Sequence, residues 1–351
     1  MSAARASKWE TRTLVARWGA KASALLLGLV VWLLVFEFVV CVAVKEPLLP
    51  RFVMDAGYGV RANQPNVKTR HYYPKDYDIT VTTNSAGMRG SREYSLHQPD
   101  GVNRIMTLGD SMVFGFGAED DEVLSAVLED SLNAGASGEK RFEVLNPSVS
   151  GFGQAELLVT YREWAREYGA ETVVLFYYNN DVANNLVSQL FELDGENSIR
   201  RTDNVYLPGV KAREVLYGLP PIRWLFVNSQ AWNFVRNRLS AMVQKSLLEN
   251  QELESFQTDD PEAVALTNGI LKQFILDIQA AGADPILVII PSNSIESNFS
   301  MATESVTTMG AQLVDGREFL KTEDYFTYDT HIRPSGHRKI AAQLDKLLAK
   351  P

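Results

Sequence analysis

The chain has 351 residues, 46% hydrophobic and 22% charged, enough to bury a sizeable core and without the Pro and Gly excess of disordered or collagenous sequences. Its net charge of −9 disfavours a nucleic-acid partner, and the part beyond the basic leader is more acidic still. One cysteine, Cys41, rules out a disulfide framework; four histidines, His71, His97, His331 and His337, in no metal-ligand spacing, predict no metal and no other cofactor.

Residues 22–44, ASALLLGLVVWLLVFEFVVCVAV, carry one charge, Glu37. At about 1.5 Å per residue this run reaches across a hydrocarbon core of roughly 30 Å, so it is read as one transmembrane helix. Arg5, Lys8, Arg12, Arg17 and Lys21 precede it against one acid, Glu10. The positive-inside rule then puts residues 1–21 in the cytoplasm and the rest outside, as a single-pass protein of the inner (cytoplasmic) membrane with its catalytic part periplasmic or extracellular. A cleaved signal peptide is the rival reading, but its apolar core is usually about 7–15 residues with a small-x-small site after it, and neither fits. Glu37 is either a contact for another membrane protein or a protonated or snorkelling residue in a simple anchor.

Residues 45–103 hold five prolines among tyrosines and turn residues, with an alternating run, DITVTT (Asp78 to Thr83), that suits one edge strand. This stretch is expected as an extended juxtamembrane arm packed on a domain of residues 104–351. That domain opens with the apolar run RIMTLGDS (Arg104 to Ser111), then a helix-like stretch around VLSAVLEDSL. FEVLNPSVSGFG (Phe142 to Gly153) leads to the amphipathic QAELLVTYREWAREYG, and TVVLFYYNND (Thr172 to Asp181) is a longer β-branched and aromatic run. A helix from about Glu262 to Ala281, a strand over Pro285 to Pro291 and a last helix from about Ser335 to Ala349 follow. Strands alternating with helices imply a parallel sheet covered on both faces, an α/β fold. Between about 184 and 260 the pattern breaks into turns and short apolar helices, read as an insertion that is either a substrate-shaping lid or plain packing.

Four short loops carry the chemistry. Gly109-Asp110-Ser111 ends the first strand, where an open α/β sheet presents ligands to unpaired N–H groups of a helix start. Alone, an Asp-Ser before a helix is ordinarily an N-cap. Gly151, after the second strand, lets backbone approach a substrate; a bare turn explains it equally well. Asn180, in Asn179-Asn180-Asp181 after the third, has an amide that can face a developing oxyanion, and equally is a common turn residue. Asp329 and His331 stand in Tyr328-Asp329-Thr330-His331 before the last helix, and a histidine with a carboxylate is what a serine nucleophile requires.

Taken in this order the four loops, with the approach Asn84 to Gly90 (NSAGMRG), resemble the SGNH (GDSL-like) hydrolases, in particular membrane-anchored bacterial members. The resemblance covers Arg104 to Leu348. It implies a three-layer α/β/α flavodoxin-like fold, Ser111 as nucleophile, His331 as general base, Asp329 as its acid, and an oxyanion hole of the Ser111 and Gly151 N–H groups with the Asn180 side chain. Many members carry the acid three residues before the histidine, where this chain has Tyr328; the D-x-H spacing resembles the branch that acetylates extracellular polysaccharides. The family also usually has a glycine before the Asn-Asp pair, where this chain reads YYNND. No G-x-S-x-G elbow surrounds Ser111, against an α/β-hydrolase.

The implied activity is that of a serine esterase or acyltransferase working through an acyl-serine, on O-acetyl groups of an envelope or extracellular glycan. The alternatives are a lipid esterase or thioesterase, and a non-catalytic SGNH-like glycan-binding or scaffold subunit. Tyr217, Trp224, Phe226, Trp232 and Phe234 of the insertion offer a sugar-stacking platform or an acyl groove, with core packing as the competing use. Oligomeric state is not legible.

Overall fold

The computed structural model describes residues 3–348 except 51, 136–140, 179, 196–197, 250–259, 293–305 and 307. The apolar N-terminal run is helical: α1 (Ala3–Val39) continues through a π-helical turn at Val40–Val44. Ala16–Val44 is long and apolar enough to cross a membrane, and it is almost wholly exposed.

Turn residues then break the chain into two small antiparallel pairs. Val53–Asp55 (β1) pairs with Arg61–Asn63 (β2), and Lys68–Tyr73 (β3) with Tyr77–Thr82 (β4). The alternating run expected as an edge strand is therefore half of a separate hairpin, closed through Tyr73 and Tyr77. Its inward residues Tyr77, Ile79 and Val81 cluster with Phe52, Val67, Phe114 and Phe326, so the arm shares a core with the main body.

The main body is a five-stranded, fully parallel sheet. Its strands are Val102–Leu108 (β5), Arg141–Leu145 (β6), Thr172–Tyr178 (β7), Asp284–Ile290 (β10) and Gln312–Asp315 (β11); a hairpin of Phe191–Leu193 (β8) and Ile199–Arg201 (β9) lies outside it. The order β11-β10-β7-β5-β6 places the second, first, third, fourth and fifth sheet strands side by side, the flavodoxin-like order. Alternation within β7 divides the core: Val173, Leu175 and Tyr177 join one cluster, Val174 and Phe176 the other.

After β5 come α2 (Ser111–Phe114) and α3 (Leu124–Gly135), and after β6 comes α4 (Gln154–Glu163). Asp181–Ser188 (α5) follows β7, then Val210–Tyr217 (α6), Pro220–Asn228 (α7), Gln230–Glu249 (α8), Pro261–Ala280 (α9) and Pro334–Leu348 (α10). Leu124 and Leu128 of α3 with Ile340 and Leu344 of α10 cover one face. Leu157 and Leu158 of α4, with Ile270, Phe274 and Ile278 of α9, cover the other, giving three layers, α/β/α. Each such side chain, once fully buried, contributes roughly 1.5–3 kcal/mol against its exposed state. Asp260 caps α9 by accepting from the Glu262 N–H, and Pro261 opens it, so sequence and start agree.

Arg104 ties the arm to the sheet. Wholly buried, it donates to the carbonyls of Ser95 at 2.7 Å, Leu96 at 3.1 Å and Tyr168 at 2.8 Å and to Glu143 at 2.9 Å. A buried guanidinium is tolerated only with this degree of satisfaction.

Candidate active site

Ser111 begins α2 directly after β5, beside the point where the strand order reverses, and the Asp110 carboxylate accepts from the Met112 N–H at 2.8 Å to cap the turn. Gly109 is required by closeness: a Cβ there would meet Val113 Cγ2 at 2.3 Å. The short turn leaves Ser111 at the carboxyl edge of the sheet with its hydroxyl in reach of the loop before α10.

In that loop, His331 Nε2 lies 2.8 Å from Ser111 Oγ, and His331 Nδ1 lies 2.8 Å from Asp329 Oδ2. An ionised carboxylate only accepts, so Nδ1 carries the hydrogen and Nε2 is left to take the serine proton. Thr330 between them has φ 66°, a left-handed conformation costly for a β-branched residue, and across this bend the Asp329 and His331 side chains meet. The Asp329 side chain is 7% exposed and His331 19%, so the acid is screened while the base stays reachable.

Asp329 is held from the arm. The Tyr77 hydroxyl donates to its Oδ2 at 2.7 Å, and the backbone N–H groups of Tyr328 and Asp329 donate to Asp76 Oδ2 at 2.8 and 2.7 Å. Burial and the neighbouring carboxylate keep the Tyr77 phenol protonated, pushing its pKa upward. Neither Tyr77 nor Asp76 belongs to any sequence motif singled out above; the only local signal was a Tyr beside a turn.

Gly151 sits in the loop after β6 at φ 74°, where a side chain would be strained. Arg61 of β2 donates to the Gly151 carbonyl at 3.0 Å, and Asn63 of the same strand donates to the Ser148 carbonyl at 2.9 Å, so the arm also fixes this loop. Asn180 follows β7 and its side chain hydrogen-bonds the Asp110 carboxyl. The Ser111, Gly151 and Asn180 positions thus lie at the ends of three adjacent strands, β5, β6 and β7. Asn179 lies outside the described residues.

Behind these loops three carboxyls are buried. Asp110 and Asp181 are both raised by burial, Asp181 further by the Asp110 charge. Asp181 accepts from Gln154 Nε2 at 2.6 Å and the Tyr178 N–H at 2.9 Å. Glu156 accepts from the Gly153 N–H at 3.0 Å, and burial pushes it up to about 7. Two further histidines are buried, and burial lowers His71 to about 4 and His337 to about 3. Among the described residues no group of His, Cys, Asp and Glu is arranged to hold a metal ion.

A void of about 10 Å³, lined by Phe52, Phe114, Phe116, Arg61, Asn63 and Ser150, lies behind Phe116, whose ring is 5.3 Å from that of His331. The insertion aromatics lie elsewhere. Phe226 and Trp232 meet edge to face at 5.7 Å, Phe234 meets Phe36 of α1 at 6.1 Å, and Trp224 is exposed. The Tyr217 side chain is outside the described residues.

No family model matches the sequence, and no curated protein matches it. Among solved structures the chain is similar to a protein assigned to the G-D-S-L lipolytic family from Desulfitobacterium hafniense DCB-2, at 9% identity over 70% of this chain and 99% of that one, TM-score 0.39. It is similar to a psychrotrophic esterase from Pseudoalteromonas sp., at 16% identity over 71% and 100%, TM-score 0.37. It is also similar to an acetylxylan esterase from Geobacillus stearothermophilus, at 14% identity over 71% and 95%, TM-score 0.41.

Proposed function

We propose that this chain is a membrane-anchored serine ester hydrolase or acyltransferase of the SGNH type, acting on O-acetyl groups of a glycan on the outer side of the membrane. The observation that carries the reading is the unbroken hydrogen-bonded line from Tyr77 through Asp329 and His331 to Ser111. Serine is inert until a base takes its proton, and this line supplies the base, fixes its tautomer and stabilises the imidazolium that forms.

In the proposed step His331 Nε2 accepts the Ser111 proton as Oγ attacks the ester carbonyl. The carbonyl oxygen becomes an oxyanion beside the Ser111 and Gly151 N–H groups and the Asn180 amide. Its collapse expels the alcohol, which takes the proton from His331, and leaves an acyl-serine. Water or a sugar hydroxyl then gives up its proton to His331 and receives the acyl group, restoring Ser111. The exposed apolar helix suits an enzyme kept at an envelope surface.

The test uses the full chain in detergent micelles, with acetate release from acetylated polysaccharide and hydrolysis of p-nitrophenyl esters of increasing length. Activity confined to short chains, and lowered at least about 10⁴-fold in Ser111→Ala and in His331→Ala, is expected. A preference for long chains moves the assignment to a lipid esterase or thioesterase. Labelling by a serine-directed phosphonate at an unchanged rate in Ser111→Ala overturns the nucleophile, and no turnover of any ester or transfer to any sugar acceptor leaves a binding subunit.

A further inference from the structure

Glu37, the one charge of the apolar run, does not stand alone. Its carboxylate accepts from Ser229 Oγ at 2.5 Å, from the Gln230 N–H at 2.8 Å and from the Ala231 N–H at 3.2 Å. It therefore occupies the start of α8, where unpaired N–H groups and the helix dipole favour a negative charge. Further along, Glu46, just past the apolar run, accepts from Asn237 at 2.8 Å and Arg238 at 3.0 Å. Thus α8 rises alongside the anchor, its start level with Glu37 and its third turn level with Glu46.

Glu37 precedes Lys45 by eight residues, so the corner between α7 and α8 lies about 12 Å below the polar end of the helix. If the anchor spans a bilayer, that corner is inside the hydrocarbon. Two independent features of the corner fit this place. First, its backbone donors are taken: the Ser229 N–H donates to the Leu225 carbonyl at 2.9 Å, the Trp232 N–H to Ser229 Oγ at 3.0 Å, and the Asn233 side-chain amide to the carbonyls of Phe226 at 3.0 Å and Ser229 at 2.8 Å. With the two N–H groups taken by Glu37, the break between helices offers no bare donor at its turn, as non-helical backbone at membrane depth requires and a water-facing loop does not. The polar side-chain atoms there that lack a partner, Gln230 Oε1, Trp232 Nε1 and Asn233 Oδ1, are buried. Second, apolar side chains face outward: Trp224 on α7 and, below the level of Glu46, Val235 on α8 are exposed, with Arg223 and Asn228 the exposed polar side chains of α7.

We propose that the α7–α8 corner is a second membrane-embedded element, a wedge sunk into the outer leaflet beside the anchor and locked there by Glu37, with lipid acyl chains as the occupant of its Trp224–Val235 face. The proposal rests on the reading of α1 as a membrane span. Lipid is favoured over a partner protein because the face continues the exposed surface of α1, to which Phe234 is joined through Phe36.

The experiment uses the full chain in nanodiscs, in a Cys41→Ser background that keeps a donor beside Glu37. Single spin labels are placed through Trp224→Cys and Val235→Cys, with Leu29→Cys in the anchor and Lys346→Cys on α10 as references, and collision with oxygen is compared with collision with a water-soluble nickel complex. Expected are oxygen-dominated collisions at 29, 224 and 235 and nickel-dominated collisions at 346. Adding Glu37→Gln is expected to lower the oxygen-to-nickel ratio at 224 several-fold while leaving 29 unchanged. Nickel access at 224 and 235 with 29 still in lipid overturns the wedge alone. Nickel access at 29 overturns the span and the wedge together, and shielding of 224 and 235 from both reagents overturns lipid as the occupant in favour of protein.

Discussion

The central sheet and the α7–α8 pair are both rich in apolar side chains, yet they spend them in opposite directions. In β7 five of the seven residues are claimed by one core cluster or the other, whereas α7 and α8 turn Trp224, Val235, Leu239 and Met242 outward. In the sheet, apolar character is consumed by packing, and the polar residues that matter stand at strand ends. In the helix pair, polar residues do the internal fastening, Glu37 to Ser229 and Glu46 to Arg238, and apolar ones face the surroundings. The same composition thus marks a core in one place and, in the other, an exposed surface that on the proposed reading meets lipid.

Substitutions separate the two regions. Asp329→Asn at the sheet edge leaves the shape intact but lets His331 present the wrong nitrogen to Ser111; about a 10⁴-fold loss of kcat is expected in steady-state ester hydrolysis. Phe274→Ala, on the buried face of α9, opens a cavity in the larger core cluster and is expected to lower unfolding free energy by about 3–5 kcal/mol. Trp224→Ala in the helix pair is expected to cost under about 1 kcal/mol in detergent, by the same denaturation measurement. Equal losses would erase the contrast.

Tyr77→Phe removes one donor to Asp329 without removing the ring from its cluster with Phe326, so kcat is expected to fall about 10-fold with KM little changed. Glu156→Gln is the mildest. Burial raises the folded-state pKa from 4.5 to about 7, so the folded chain keeps a proton that the unfolded chain releases, and stability falls as pH rises between those values. Glutamine cannot lose that proton equivalent; the melting-temperature difference in favour of Glu156→Gln is expected to grow from pH 4.5 to about 7 and then level off.

The sheet was legible where burial on both faces writes a continuous apolar run, as in β5, β7 and β10. It was not legible at β11, four residues with Gln312 and Asp315 at its ends, because a short edge strand needs little apolar sequence. Ser111 and His331 stood out through motif order. Tyr77, Asp76 and Arg61 did not, since what gives them their places is contact across the chain and no local periodicity records that. The role of Glu37 was left open between two readings; its partners at Ser229 to Ala231 lie almost two hundred positions away in sequence, and neither reading named them.

The line of contacts through Asp329 joins residues far apart in the polypeptide, Tyr77 lying 252 positions from Asp329 and Ser111 lying 220 from His331. A ribosome delivers the tyrosine and the serine well before the aspartate and the histidine. The apolar helix, the arm and the serine emerge while the histidine is still unmade, and loop closure on this scale is slow even after release. On the proposed reading, a half-made chain already held in the membrane is therefore chemically silent, and activity begins only once the loop of Asp329 and His331 has been made and has closed on Ser111.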